Sequence, residues 1–131
     1  MQDLKDKVAI VSGACQGLGK AIVHALAEQG ASVVAFDNQQ GIMDTVAEIT
    51  SVSDKKVLGL VADVSLIDDC KRVLRCALTE FGGIDILVNN AGIALGGPVT
   101  LIDTEVFRKQ FEVNFFGLID VTKAYLPLLG A

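Results

Sequence analysis

The sequence predicts an α/β fold, a doubly wound parallel sheet of at least four strands with helices on both faces. Three observations carry that reading. Four short β-branched runs alternate with longer segments of helical period. The runs are almost continuously Val, Ile and Leu, which suits strands covered on both faces rather than strands with one wet side. No repeat or low-complexity linker interrupts them, and 131 residues are enough for one core but not for two.

The first strand is expected at residues 7–13 (KVAIVSG), and the helix after it should show an inward stripe of Leu18, Ile22, Ala25 and Leu26. His24 falls at a spacing of four from Lys20 and Glu28, a solvent-facing row. The second and third strands follow at 31–37 (ASVVAFD) and 56–63 (KVLGLVAD). The next helix has Ser65 as its expected N-cap and a stripe of Ile67, Cys70, Leu74, Ala77, Leu78 and Phe81. Cys70 reads as core there, and Cys76, on the other face with Asp69, Arg72 and Thr79, as an exposed bystander. The fourth strand is 84–90 (IDILVNN), then come a loop, GIALGGPVT, and a helical region over 103–129 that can bend at Gly117 or Pro127. That region contains VNFFGLIDV, apolar nearly all round, and the usual strand order leaves the ILV run of the fourth strand on an edge. Both features predict a sheet incomplete at its carboxyl end.

Composition excludes several classes. Hydrophobic residues make up 51% and charged residues 21%, a globular balance, and no apolar run approaches the roughly 20 residues of a membrane span. A net charge of −5 disfavours nonspecific attraction to nucleic acid or acidic membranes. The start, MQDLKDKVAIVSG, lacks a signal core, which leaves a cytoplasmic location as the expectation. The three cysteines, Cys15, Cys70 and Cys76, form no CxxC pair, so neither a metal site nor a disulfide framework is expected.

The chemistry is concentrated at strand ends. SGACQGLG joins the first strand to the first helix, with Gly13, Gly17 and Gly19 in a GxxxGxG spacing. Glycines there let the backbone turn and approach a pyrophosphate, whose charge meets free N–H groups and the positive end of the helix dipole. Taken alone, a glycine cluster is also a tight turn. Asp37 ends the second strand 18 residues after Gly19, where a carboxylate accepts hydrogen bonds from adenosine ribose hydroxyls and repels a 2′-phosphate. The loop offers Ala14, Cys15 and Gln16 but no Lys or Arg, which favours NAD over NADP, with Lys20 the residue best placed to upset that preference. Asp37 also reads as a plain turn residue.

These residues resemble the short-chain dehydrogenases/reductases. SGACQGLG is similar to that family's TGxxxGxG loop with Ser12 for threonine, Asp63–Val64 to its adenine-reading pair, and NNAG at 89–92 to its most distinctive early signature. Asn114 in FEVNFFG matches the family's helix asparagine. The resemblance runs over essentially all 131 residues. It implies a Rossmann-like domain in which residues 1–131 form the NAD-binding part, with Gly13, Cys15, Gln16, Gly17, Leu18, Gly19, Asp37, Asp63, Val64, Asn90, Ala91 and Gly92 at the cofactor. On its own chemistry NNAG reads as a strand-ending turn, and Asn114 as either a buried structural amide or part of a site network worth about 1 to 3 kcal/mol of pairing.

In the family a serine polarises the substrate oxygen, and a tyrosine transfers the proton with a lysine four residues later lowering its pKa; Asn114 would hold a water that supports that relay. The only tyrosine, Tyr125, is followed at the fourth position by Leu129, and Lys123 falls on another helical face. Tyr125 therefore reads as a packed aromatic, and the catalytic Ser, Tyr and Lys have no counterpart before Ala131. The expected function is the dinucleotide-holding part of an oxidoreductase that interconverts an alcohol and a ketone, inactive as 131 residues. A homo-oligomer through 103–129 is expected as well. The alternatives are a naturally short noncatalytic nucleotide-binding or oligomerisation module and, less well matched to NNAG, an S-adenosylmethionine-binding domain. Cys15 at a helix start raises a separate expectation, an oxidisable thiol, against the plain reading of a small loop residue.

Overall fold

The computed structural model describes residues 3–51, 54, 56–92 and 99–129. Four parallel strands, β1 (Val8–Ser12), β2 (Ser32–Asp37), β3 (Val57–Val61) and β4 (Ile86–Val88), lie in the order β3-β2-β1-β4. Each coincides with one of the apolar runs. β1, in the middle, is buried at every position, as continuous apolarity requires of a strand covered twice. Its register sets Val11 against Ala35 on one side and Val88 on the other. The order reverses direction between β1 and β4, which places a crevice at their carboxyl ends.

Three helices return the chain between strands: α1 (Gly17–Glu28), α2 (Ile42–Ser51) and α3 (Ile67–Phe81). Two cores result. On one side of the sheet Ala9, Val11, Val23, Val33, Ile42 and Ile49 pack together; on the other, Ile10, Val34, Phe36, Cys70, Val73 and Tyr125 do. Helices on both faces are thus a doubly wound arrangement, as the sequence predicts.

Three local expectations need correction. In α1 the inward residues are Gly19, Val23 and Ala27, flanked by Ile22 and Leu26, while Leu18 is 70% exposed and Ala25 lies on the surface. The reason is Gly19: a Cβ there would run into the Gly13 carbonyl oxygen, so this position must face the loop and sheet. At about 100° per residue that rotation carries Leu18 and Ala25 off the core face. In α3, Val73 joins Cys70 and Ala77 inside, and Ile67 and Leu78 fall on the stripe's exposed margins. Ser65 does not cap α3. Leu66 holds that position, and the Ser65 hydroxyl donates instead to Asp63 Oδ1 at 2.6 Å.

The 103–129 region is α4 (Thr104–Phe111), a turn widened to π-helical hydrogen bonding (Glu112–Gly117), α5 (Leu118–Tyr125) and a short 3-10 turn (Leu126–Leu128). Both expected bending points mark changes of helical geometry. The buried Gly117 closes the widened turn where a Cβ would meet Val64 Cγ2 at 3.2 Å, and Pro127 sits in the 3-10 turn. α4 has no buried residue, and α5 buries Val121 and Tyr125. β4 is the outer strand and its three residues are half-buried; a parallel bridge joins Ile84, just before it, to Leu129. Residues 93–98 of the GIALGGPVT loop lie outside the described residues.

Candidate functional site

At the carboxyl ends of the strands a cleft of about 740 Å³ opens beside the β1–β4 reversal. Its lining brings together Gly13 and Gln16 of the glycine-rich loop, Asp37 at the end of β2, Asp63 and Val64 after β3, and Asn90, Ala91 and Gly92 after β4. Residues separated by up to 79 positions thus share one surface. Val113 and the first turns of the 104–125 helical stretch form the opposite wall, with Glu105, Arg108, Lys109 and Glu112 at its rim.

The glycines are there for space and for backbone geometry. Gly13 and Gly17 adopt φ of +65° and +60°, a region in which side chains other than glycine are strained. A Cβ on Gly13 would approach Ala91 Cα to 2.8 Å, and one on Gly19 would reach Asn90 Nδ2 at 2.6 Å. The loop and the NNAG turn are therefore in backbone contact. Gly17 and Gly19 lie in the first turn of α1, and the leading N–H groups of a helix have no intrahelical partner and favour anions. Among the described residues Cys15, Gly17, Leu18 and Gly19 do not line the cleft; Gly13 and Gln16 do.

Ser12 ties the two turns together. Its hydroxyl accepts from the N–H groups of Asn90 (3.1 Å) and Ala91 (3.0 Å) and lies 3.4 Å from the Val88 carbonyl, and the residue is 1% exposed. Asn90 Nδ2 donates to the Gly13 carbonyl at 3.0 Å. The Ser12 hydroxyl thus bridges β1 and the NNAG turn. Asn89 points elsewhere, donating to Thr122 Oγ1 at 2.9 Å and fastening β4 to α5.

Asp37 is anchored through both oxygens. Oδ2 accepts from the Cys15 N–H at 3.0 Å and Oδ1 from the Gln39 N–H at 3.2 Å. A carboxylate has about four acceptor positions, so two bonds orient it and still leave capacity for ligand hydroxyls. Asp63 is fixed in the same manner: Ser65 donates to Oδ1 through its N–H (2.8 Å) and hydroxyl, and the Asp63 N–H donates to Asp69 Oδ2 at 2.9 Å. Lys20 does not line the cleft; its Nζ donates to Glu48 Oε2 at 2.8 Å, and that ammonium holds the Glu48 carboxyl below its ordinary pKa. Asn114 belongs to the widened turn, and its Oδ1 lies 3.0 Å from where a Gly92 Cβ would be, which sets it against the NNAG turn.

Tyr125 is not a proton donor to this cleft. It is fully buried in the α3–α5 core and donates its hydroxyl to the Cys70 carbonyl at 2.7 Å. Burial pushes its phenol well above the ordinary value, with the neighbouring Cys70 adding to the effect. The Cys70 thiol is itself pushed up to about 11, by burial first and then by Asp120, Asp69 and Asp63. Cys76, half-buried rather than exposed, is raised by burial and Glu80, which suits a bystander and not a nucleophile. Among the described residues there is no group of His, Cys, Asp and Glu that could hold a metal ion, and no helix long and apolar enough to cross a membrane.

Two features escaped sequence reasoning. Thr45, 7% exposed, donates to the Cys15 carbonyl at 2.6 Å from α2, and Asp69 supports Asp63 from α3. Neither partnership has a motif; a hydroxyl at a buried helix position is the only sequence signal for Thr45.

A glycine-rich turn entering a helix, an anchored carboxylate at the next strand end and a cleft at the sheet's reversal define an α/β fold of the dinucleotide-binding type. The chain belongs to the short-chain dehydrogenase family, whose model matches residues 7–131. It is 35% identical over 131 residues to an uncharacterized oxidoreductase of Methylorubrum extorquens, covering 99% of this chain and 53% of that protein. With 11-beta-hydroxysteroid dehydrogenase A of Sesamum indicum it shares 31% identity over 130 residues, covering 98% of this chain and 37% of the other. Among solved structures, the 3-ketoacyl-(acyl-carrier-protein) reductase of Brucella melitensis complexed with NADH superimposes with a TM-score of 0.89 at 34% identity, covering 96% of this chain and 51% of that one. A short-chain dehydrogenase/reductase of Burkholderia phymatum in complex with NAD gives 0.92 at 28% identity, covering 98% and 46%. The chain spans about half the length, or less, of these relatives.

Proposed function

We propose that residues 1–131 are the NAD-binding part of a single Rossmann-fold domain in an oxidoreductase that interconverts an alcohol and a ketone. The observation that carries this is the convergence of Gly13, Asp37, Asp63 and Asn90–Gly92 on one cleft at the strand ends. Structural relatives crystallised with NADH and NAD support the same cofactor class. The residues fit such a group: the positive φ of Gly13 and the bare backbone of the loop allow close approach, and α1 presents its N-terminus to an anion.

In this reading Gly13 and Gln16 border the pyrophosphate, with Gly17, Leu18 and Gly19 supplying the first turn of α1. Asp37 accepts from the adenosine ribose hydroxyls, Asp63 and Val64 read the adenine, and Asn90, Ala91 and Gly92 border the nicotinamide side. The dinucleotide, when bound, supplies or accepts the hydride. NAD is preferred over NADP because the anchored Asp37 carboxylate would face a 2′-phosphate and Lys20 is engaged by Glu48. Asn114 has a supporting role beside Gly92. The alcohol proton is taken by a base, or in the reverse direction supplied by its conjugate acid, other than Tyr125, which is buried and bonded elsewhere. A small-molecule alcohol or ketone is the substrate class.

Calorimetric titration of NAD and S-adenosylmethionine into the chain tests the cofactor, with saturable heat from NAD alone expected and S-adenosylmethionine binding contradicting it. Alcohol-dependent NADH formation by the mass-verified 131-residue chain would overturn the assignment of the acid. A second reading, a noncatalytic nucleotide-binding or oligomerisation module, draws on Phe111, Phe115 and Phe116, all at least half-exposed along 104–118. Association through this helical region accords with either reading, and light scattering that finds only monomer would refute it.

A further inference from the structure

We propose that Thr45 is a positioning residue for the glycine-rich loop, acting through the Cys15 peptide on dinucleotide affinity; this rests on the NAD-binding reading above. Thr45 does not line the cleft, and it lies thirty positions from Cys15 on a different element. Yet its hydroxyl, in a residue only 7% exposed, makes one of the shortest hydrogen bonds among the described residues, 2.6 Å to the Cys15 carbonyl.

Cys15 is held through both of its backbone polar groups. Its N–H donates to Asp37 Oδ2 at 3.0 Å, its carbonyl accepts from Thr45, and its sulfur lies 3.0 Å from where a Gly41 Cβ would be. The N–H and the carbonyl belong to two successive peptide planes, so these bonds fix the orientation of both. In a trans peptide the C=O and the following N–H point in opposite directions. Drawing the Cys15 carbonyl toward α2 therefore turns the Gln16 N–H the other way, and Gln16 is the loop residue beside Gly13 on the cleft surface. An anion placed there meets a donor rather than a carbonyl oxygen. The same restraint holds the Cys15 N–H on Asp37, so Thr45 orients the pyrophosphate and the ribose sides of the loop together.

Thr45→Val keeps the side chain's shape and removes the hydroxyl, and Thr45→Ser keeps the hydroxyl. Val46→Ala, the neighbouring core residue on α2, serves as a control that loosens the helix without touching Cys15. Titrations of NAD well below each variant's melting temperature should show Thr45→Val weakened about five- to tenfold, as expected for one buried carbonyl losing its partner. Thr45→Ser should bind like the parent, and Val46→Ala should melt earlier with NAD affinity unchanged. Parental affinity in Thr45→Val, or equal weakening in Val46→Ala, overturns the proposal and leaves the cofactor reading intact. A parent chain that binds no NAD overturns both.

Discussion

The two sides of the β1–β4 reversal are built differently. On the β1–α1–β2–α2 side the glycine-rich loop is held by contacts within the chain. Ser12, Asp37, Thr45 and Asn90 each bond to backbone of the loop or its partner turn, and β1 is wholly buried. On the other side β4 is half-buried, α4 buries nothing, and Leu101, Phe111, Phe115 and Phe116 are exposed. The glycine-rich loop is thus closed by contacts within the chain, whereas the wall facing it leaves its large apolar side chains exposed.

The largest way to break the contrast is Gly19→Ala. Its Cβ has nowhere to go between the Gly13 carbonyl and Asn90, so at least about 3 kcal/mol of stability should be lost in urea denaturation, at the upper end for overpacking. An unchanged midpoint would mean the loop is not closed against the NNAG turn. Next comes Ser12→Ala, which takes the side-chain acceptor from the Ala91 N–H and leaves the Asn90 N–H only the Val88 carbonyl, and should cost about 2 kcal/mol, while Ser12→Thr keeps the hydroxyl and should stay close to the parent.

The α3–α5 contact sharpens the comparison through pH. The Cys70 thiol is raised to about 11 when folded, above the ordinary value, so its stabilising contribution is whole below about pH 9 and is lost as pH rises toward 11. Tyr125, raised in the same direction, adds a loss that begins near the ordinary phenol value of about 10. Denaturation midpoints should therefore fall by about 2 kcal/mol equivalent between pH 8 and 11. Cys70→Ala should flatten the first part of that fall, and a slope unchanged by it would contradict the assignment. Smallest is Phe116→Ser on the open wall, expected within about 0.5 kcal/mol of the parent in stability. It should reduce self-association in light scattering and leave NAD affinity alone.

The closed side was the more legible in sequence, because its signals are local. Apolar runs place all four strands, and glycine at 13, 17 and 19 marks the loop whose backbone demands no side chain. What sequence could not supply was rotation and long-range partnership. The face of α1 is set by one carbonyl, that of Gly13 against Gly19, and no periodicity records that contact. Ser65 had the chemistry of a cap but Asp63 lay nearer to its hydroxyl. Thr45 supports the site from α2 and Asp69 from α3, and neither partnership has a motif. Tyr125 was legible by elimination, through Leu129 four residues on, and the structure gives the positive reason in its bond to Cys70.

In the proposed reading Asp37, anchored at the cleft, selects NAD over NADP. Calorimetric titration of the parent chain and of Asp37→Ala with NAD and with NADP tests it most directly. The parent is expected to bind NAD more than about tenfold tighter than NADP, and Asp37→Ala to lose most of that ratio. A parent that binds both equally, or an Asp37→Ala variant that keeps the parental ratio, would contradict it.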